Sequence, residues 1–496
     1  MSVATPLWTY DALAAAMNAR RLGPPPEIIT GISIDSRTVQ SGDAFFAIKG
    51  ANFDGHAFAA DALARGAATA VVAESRLSGL GATRGSLTVV ADVMDALRAL
   101  AIAARARSRA GIVAVTGSVG KTSTKEMLAL ALAPDGPVHY SPASFNNHWG
   151  VPLTLARMPA DAKYAVFEIG MNHPGEIGPL VKLVRPQVAI VTTVEPVHLE
   201  HFKDVKEIAR AKAEIFLGVE PGGAAIINRD NPHYTLLVRR ARAAGVENIA
   251  SFGAHPGAVL HLDAVSLKPG CSCVSATLLG EKVSYKLGAP GRHLVQNSLA
   301  VMGAVALLGG DLARAALALA GMKPPKGRGE RHKLGVRGGT AILIDEAYNA
   351  NPASMRAVIA LLGQAVPEGR GRRVAVLGDM LELGSEGPAM HAALAPALVE
   401  AGVQQVFAAG PLMRNLWEAL PPALRGGYAE SGAALEPILV AALAPGDVIM
   451  VKGSNASRMG HVVDTLLQRF AVGPSDAEAG DDDAGRSAAG IKQEAI

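Results

Sequence analysis

The run Ile112-Val113-Ala114-Val115-Thr116-Gly117-Ser118-Val119-Gly120-Lys121-Thr122-Ser123 constrains this chain more than any other segment. Its apolar, mostly β-branched start has the composition of a buried strand. A glycine-bounded turn follows, then Lys-Thr-Ser and a helix-forming stretch at 124–132. Strand, turn and helix N-terminus in that order make an anion site, because backbone N–H groups and the helix dipole face the turn. Gly117, Ser118, Val119, Gly120 and Ser123 would line a phosphate cradle. Lys121 would reach the terminal phosphates and the Thr122 hydroxyl would hold Mg²⁺. Val115 stands where the pattern G-x-x-x-x-G-K-[ST] has its first glycine. A tight turn without ligand is the alternative, and the strand and helix context favours phosphate.

The 496 residues suggest about three domains. A hydrophobic share of 49% with 18% charged residues suits an enzyme with an extensive core. The net charge of +3, with no basic stripe, argues against nucleic acid as the main partner. Cys271 and Cys273 are too close for an ordinary bridge and read as strand residues of a protein in a reducing compartment. The first residues lack a signal-peptide pattern. The apolar stretch 294–310 contains Gln296, Asn297 and Ser298 and runs into Asp311, so it reads as a buried helix. A cytoplasmic protein without a membrane span is expected.

Along the chain, residues 1–108 form a first unit with short strands around 31–37 and 43–50, a helix at 57–65, a strand at 70–73 and a helix at 92–109. The central unit, 109–326, alternates strands at 164–169, 188–194 and 224–227 with helical sequence, which predicts a mostly parallel sheet. A small antiparallel patch with a turn at Leu279-Gly280-Glu281 follows, then a helix at 292–308. The Pro/Gly-rich stretch 324–329 reads as a linker. A third α/β unit, 327–473, has strands at 341–344, 373–377, 405–408 and 448–451. Residues 474–496, with Asp481-Asp482-Asp483, read as a disordered acidic tail.

In an open parallel sheet, ligands gather at the carboxyl ends of the strands. Glu168 falls at such an end, and His198 lies just beyond another. A carboxylate and an imidazole beside nucleotide phosphates would suit Mg²⁺. A helix-capping carboxylate and a hydrogen-bonded loop histidine are the plainer readings. In the predicted helix 203–217, Lys212 shares the apolar face with Ile208, Ile215 and Phe216. Such a lysine must snorkel, pair or lose its charge. The sharper reading is a neutral amine carbamylated by CO₂ into an anionic metal ligand.

The segment Thr116-Gly117-Ser118-Val119-Gly120-Lys121-Thr122 resembles the short phosphate loop of the Mur ligase family, which does not require the outer glycine. Phe167-Glu168-Ile169-Gly170-Met171-Asn172-His173, His198-Leu199-Glu200 and Ala211-Lys212-Ala213-Glu214 are similar to that family's metal-site segments in the same order. The resemblance implies that Thr122, Glu168, His198 and Lys212 surround the metal and that Lys121, Glu168, His198 and Lys212 carry catalysis. It implies Asn297 at the nucleotide, although Leu294 replaces the internal asparagine of the family's Gly-x-His-Asn-x-x-Asn segment. It implies that Arg328 and Asp345 reach the phosphates and ribose. Ser36, Arg37, Lys49, Asn146, Asn147, Tyr348, Asn349 and Lys452 are implied at the substrates. The expected architecture is a small mixed α/β N-terminal domain that holds a uridine nucleotide, a central parallel-sheet ATP-binding domain and a C-terminal Rossmann-like domain.

Within the family, Asp345-Glu346-Ala347-Tyr348-Asn349-Ala350-Asn351-Pro352, Val376-Leu377-Gly378-Asp379-Met380 and Val451-Lys452-Gly453-Ser454 resemble the member that joins D-alanyl-D-alanine to UDP-N-acetylmuramoyl-tripeptide. The implied reaction uses ATP and Mg²⁺, passes through an acyl phosphate and is carried out by a monomer. The member that adds the third amino acid bears Asp-Asn-Pro-Arg in its third domain. Here Asp230-Asn231-Pro232 lies in the central unit, precedes His233 and reads as a strand-to-helix turn. A folylpolyglutamate synthase-like ligase is a further relative. An ATPase switch would need a trigger segment and a partner surface.

Overall fold

The computed structural model describes residues 6–50, 53–80, 85–268 and 270–471; the acidic stretch 474–496 lies outside them. Contacts divide the chain into two compact units, with the break between Met322 and Lys323. The break adjoins the predicted linker at 324–329.

The first unit contains two main sheets. The smaller has five strands in the order Arg20–Leu22, Leu87–Val90, Thr69–Ala73, Asp43–Phe46 and Gly31–Ser33. Its first pair is antiparallel and the others are parallel. The larger has nine strands with Gly111–Thr116 between Val188–Val191 and Tyr164–Glu168. Alternation along Gly111–Thr116 feeds two cores. Val113 and Val115 join the cluster of the helices Lys121–Leu132 and Arg292–Leu307, while Ile112 and Ala114 face that of Ile177–Val184. A strand covered on both faces is apolar through its middle, as Ile112-Val113-Ala114-Val115 is.

The predicted antiparallel patch is the far edge of this large sheet. Leu260–Leu267 pairs parallel to Asn248–Gly253, and Ser272–Leu278 and Glu281–Leu287 extend it antiparallel. Leu279 and Gly280 both take positive φ at the connecting turn. Cys273 lies on Ser272–Leu278 with Cys271 just before it, and both are free thiols. The predicted helix 203–217 is divided: α-helix Val205–Lys212 tightens into 3₁₀ helix over Ala213–Gly218.

The second unit has a six-stranded sheet, ordered Glu330–Val336, Gly339–Glu346, Val448–Lys452, Arg373–Gly378, Gln405–Ala409 and Arg425–Ala429. Only the first pair is antiparallel. Asp447, completely buried, accepts from Arg372 N at 2.8 Å, Arg372 Nη2 at 2.7 Å and Ala444 N at 3.0 Å. These bonds pin the starts of two adjacent strands. Asp447→Ala leaves a guanidinium and two amides without their acceptor and should cost about 3 kcal/mol. Hydrogen exchange in Val448–Lys452 and Arg373–Gly378 should accelerate on the order of 10²-fold; unchanged protection would refute this role.

Candidate functional site

The phosphate loop is shaped by what touches it. Gly117 has φ +153°, and a Cβ there would lie 1.9 Å from Thr192 Oγ1. Gly120 has φ +87°, and a Cβ there would lie 2.4 Å from Asn297 Nδ2. Both glycines are therefore obligatory, the first for close approach and the second also for left-handed backbone. Gly120 caps the helix Lys121–Leu132 with no side-chain bond, and the first N–H groups of a helix have no intrahelical partner.

The loop is stitched to the segment after Val188–Val191. Thr192 Oγ1 donates to Val119 O at 2.6 Å, Ser118 N to Thr193 O at 2.8 Å, and Glu195 N to Ser118 Oγ at 2.9 Å. The same segment leads to His198, which has φ +55° and opens the 3₁₀ turn Leu199–His201. Lys121 Nζ curls back to donate to Gly117 O at 2.8 Å, so its charge already lies over the loop.

Thr122 Oγ1 donates to Glu168 Oε2 at 2.9 Å, and Asn146 Nδ2 donates to Glu168 Oε1 at 2.7 Å. Ser144 Oγ lies 3.3 Å from Thr122 Oγ1. Glu168 is buried at the end of Tyr164–Glu168, where the strand register sets it beside Val115. A hydroxyl, a carboxylate and an amide make a hard-oxygen set that suits Mg²⁺, an ion that keeps several waters and needs few protein ligands. The structure brings Thr122 and Glu168 into direct contact. Asn146 reaches Glu168, and Asn147 turns away to accept from Gly150 N at 2.9 Å.

Lys212 is 2% exposed at the end of Val205–Lys212. Burial, and then the Lys121 charge, hold its amine well below the ordinary lysine range. No carboxylate pairs with it among the described residues.

In the smaller sheet's rim, Asp35 caps the 3₁₀ turn Ser36–Thr38 and binds Arg37 Nη2 at 2.7 Å. Ser36 is buried, and Arg37 projects outward with 83% of its side chain exposed. The Lys49 and Asp54 backbones meet in an isolated antiparallel β-bridge. Asp54 Oδ1 lies 2.6 Å from His56 Nδ1, and Ala73 N donates to His56 Nε2 at 3.0 Å.

In the second unit, Asp345 accepts from Gly327 N at 3.1 Å and Ala347 N at 3.0 Å, and Arg328 stacks 4.1 Å from the Tyr348 ring centroid. Lys452 Nζ donates to Asn349 O at 2.8 Å and lies 3.7 Å from Glu346. Burial pushes the Glu346 carboxyl up and the Lys452 amine down, and each partner's charge opposes the shift. Lys452 thus fixes the Tyr348–Asn349 turn from beneath, while Tyr348 is 39% exposed.

Sequence reading missed Ser144, Thr192 and the fully buried Lys125. A local signal existed for Thr192 alone, as a hydroxyl beyond a strand adjacent to the loop strand. The others depend on contacts across the loop 141–149.

The chain matches the profiles of three Mur ligase domains in order: the family's catalytic domain at 28–108, the middle domain at 115–305 and the glutamate ligase domain at 327–455. It is 34% identical to the UDP-N-acetylmuramoyl-tripeptide–D-alanyl-D-alanine ligase of Escherichia coli, covering 89% of this chain and 94% of that protein. Identity to the Rickettsia prowazekii enzyme of the same name is 31%, over 87% and 94%. Among solved structures, MurF from Acinetobacter baumannii superposes with a TM-score of 0.81 at 30% identity, covering 94% of this chain and all of that one. A Thermotoga maritima MurF ligase in complex with ADP gives 0.74 at 26% identity, covering 88% and 97%. With the phosphate loop, its oxygen cluster and these likenesses in agreement, the chain belongs to the Mur ligase family.

Proposed function

We propose that this protein joins the amine of D-alanyl-D-alanine to the terminal carboxylate of UDP-N-acetylmuramoyl-tripeptide, using ATP. The observation that supports it most is the Thr122–Glu168–Asn146 cluster at the mouth of the Lys121 loop, together with relatives bearing that activity in their names.

A carboxylate resists nucleophiles because oxide is a poor leaving group. One carboxylate oxygen therefore attacks the γ-phosphorus, the bond to the β-phosphate oxygen breaks, and ADP leaves. The amine then attacks the acyl carbon, a tetrahedral intermediate collapses with loss of phosphate, and the nitrogen releases a proton. Two anions must meet in the first step, so positive charge is the main requirement. Lys121 supplies it at the terminal phosphates, and the loop amides 119–123 would orient the chain of phosphates. When bound, Mg²⁺ neutralises phosphate charge and aligns the reacting oxygens. Thr122 and Glu168 would hold it, with Asn146 keeping Glu168 in place and His198 contributing from the neighbouring segment. Asn297 lies against Gly120 and would face the nucleotide.

In the second unit, Asp345 and Arg328 would serve the nucleotide, with Tyr348 and Asn349 at the dipeptide. Ser36, Arg37 and Lys49 form the candidate contacts to the uridine nucleotide.

Replacing Lys121 with alanine removes one transition-state stabiliser and should lower kcat/KM by about 10²–10³ with folding retained. The assay is ADP release that requires both UDP-tripeptide and D-alanyl-D-alanine. Release by the wild type that ignores either substrate would overturn the ligase reading.

Lys212 would act as a carbamate. Its neutral Nζ attacks CO₂, a C–N bond forms, one C–O π pair moves to oxygen, and a proton leaves to solvent. A lowered amine pKa favours the neutral form near pH 7, whereas acidification protonates the amine and drains the carbamate. With ¹³C-bicarbonate, the wild type should take up one protein-bound ¹³C that disappears as pH falls and is absent from Lys212→Arg. Equal labelling of both proteins would refute the assignment.

A further inference from the structure

Lys125 has no place in the reaction described above, yet it is the most deeply buried lysine among the described residues, at 0% exposure. It lies one turn beyond Lys121 and three residues beyond Thr122 on the phosphate-loop helix, spacings that put it on a shared face with both. Its Nζ donates to Ser141 O at 2.5 Å and lies within reach of Ala143 O at 3.4 Å. Glu126 Oε1 lies 3.0 Å away, and the Tyr140 ring centroid 5.8 Å away.

Those carbonyls open the segment that delivers the two side chains sequence reading did not connect to the metal cluster. Ser141 Oγ donates to Ala143 O, Phe145 N donates to Ala143 O at 2.9 Å, and Asn146 N to Ser144 O at 2.9 Å. From this compact turn Ser144 reaches Thr122 and Asn146 reaches Glu168, while Gly170 N returns a bond to Asn146 O at 2.8 Å. The arrangement is closed: helix, buried ammonium, turn, amide, carboxylate, and the Thr122 hydroxyl back on the helix.

We infer that Lys125 is a positioning residue, clamping the 141–147 turn to the phosphate-loop helix so that Asn146 and Ser144 hold Glu168 and Thr122 in register. A buried ammonium without enough acceptors is costly; Glu126 supplies one from the helix itself and the turn supplies two carbonyls, so the turn is favoured in the conformation that aims them at Nζ. An apolar side chain would fill the same slot without that cost, but it would leave the turn free to choose its conformation. The inference rests on the reading of Thr122 and Glu168 as metal-binding oxygens.

The variant Lys125→Met is unbranched and one heavy atom shorter, and it nearly keeps the volume while removing the charge. In the ligand-free protein, amides of 143–147 should exchange at least about tenfold faster, with the middle of Lys121–Leu132 unchanged. Mn²⁺ binding in the presence of ADP, followed by electron paramagnetic resonance, should weaken by roughly tenfold. The effects of Lys125→Met and Asn146→Ala on that affinity should not add, because both act through the orientation of Glu168. Wild-type exchange and Mn²⁺ affinity in Lys125→Met would overturn the clamp, as would full additivity with Asn146→Ala. A merely stabilising lysine would lower the unfolding temperature and leave both readouts in place. Should Lys125→Met not fold, Lys125→Gln, which keeps a donor without the charge, provides the same measurements. A wild type that binds no Mn²⁺ with ADP, alongside faster turn exchange in the variant, would refute the metal site and leave the clamp standing.

Discussion

The close approach of Gly117 to Thr192 is the contact on which the rest of the first unit's chemistry depends. Two adjacent parallel strands, Gly111–Thr116 and Val188–Val191, end side by side. Only a residue without Cβ lets the loop after one lie against the hydroxyl after the other. That hydroxyl then bonds Val119 O, and Ser118 engages Thr193 and Glu195. Ser118 N is a loop amide spent on that attachment, and the other two bonds use hydroxyl groups of Thr192 and Ser118. A cradle held from behind needs little reorganisation when an anion arrives, which is the condition for electrostatic preorganisation.

The parts of this design that were legible in the sequence are those governed by local rules. The loop strand was readable because both its faces are covered, and Lys121 and Thr122 because a helix start follows a glycine turn. Val188–Val191, Tyr164–Glu168 and Val448–Lys452 have the same continuous apolar texture and were found in the right order. Short edge strands were missed: Arg20–Leu22 carries two arginines, Val138–Tyr140 has three residues, and Arg425–Ala429 begins Arg-Gly-Gly. Their pairing comes from a neighbouring strand, not from their own propensity. The contacts of Asn146 with Glu168 and of Lys125 with Ser141 join residues 22 and 16 positions apart. No periodicity encodes such a pairing, so the site's oxygens were visible one by one and their support was not.

The second unit orders its own polar cluster by burying it. Asp379 accepts from Met413 N at 2.8 Å, at the start of helix Met413–Ala419, and burial pushes its carboxyl up against the pull of those amides. His391 is fully buried, receives Met380 N on Nε2 at 2.9 Å and faces Gly387 O through Nδ1 at 2.6 Å. Burial holds that imidazole below its usual range, consistent with a neutral ring that accepts on one side and donates on the other. Ser454 Oγ then takes Leu381 N at 3.0 Å. The Val376–Met380 and Lys452–Ser454 segments singled out in the sequence are therefore strand ends locked to each other, which leaves Tyr348 as the projecting group.

Three lysines are buried among the described residues, Lys125, Lys212 and Lys452, and each meets the cost of a buried ammonium differently. Lys125 finds two backbone carbonyls and the Glu126 carboxylate, and it ties a turn to its helix. Lys452 finds Glu346 and the Asn349 carbonyl, so two groups that burial pushes toward neutrality sustain each other's charge. Lys212 has no carboxylate partner, and the nearby Lys121 charge opposes its own. The remaining way to remove the penalty is to lose the proton. A neutral Lys212 amine no longer opposes the nearby Lys121 charge. The same burial acts on all three lysines, and the difference lies in what each finds within reach.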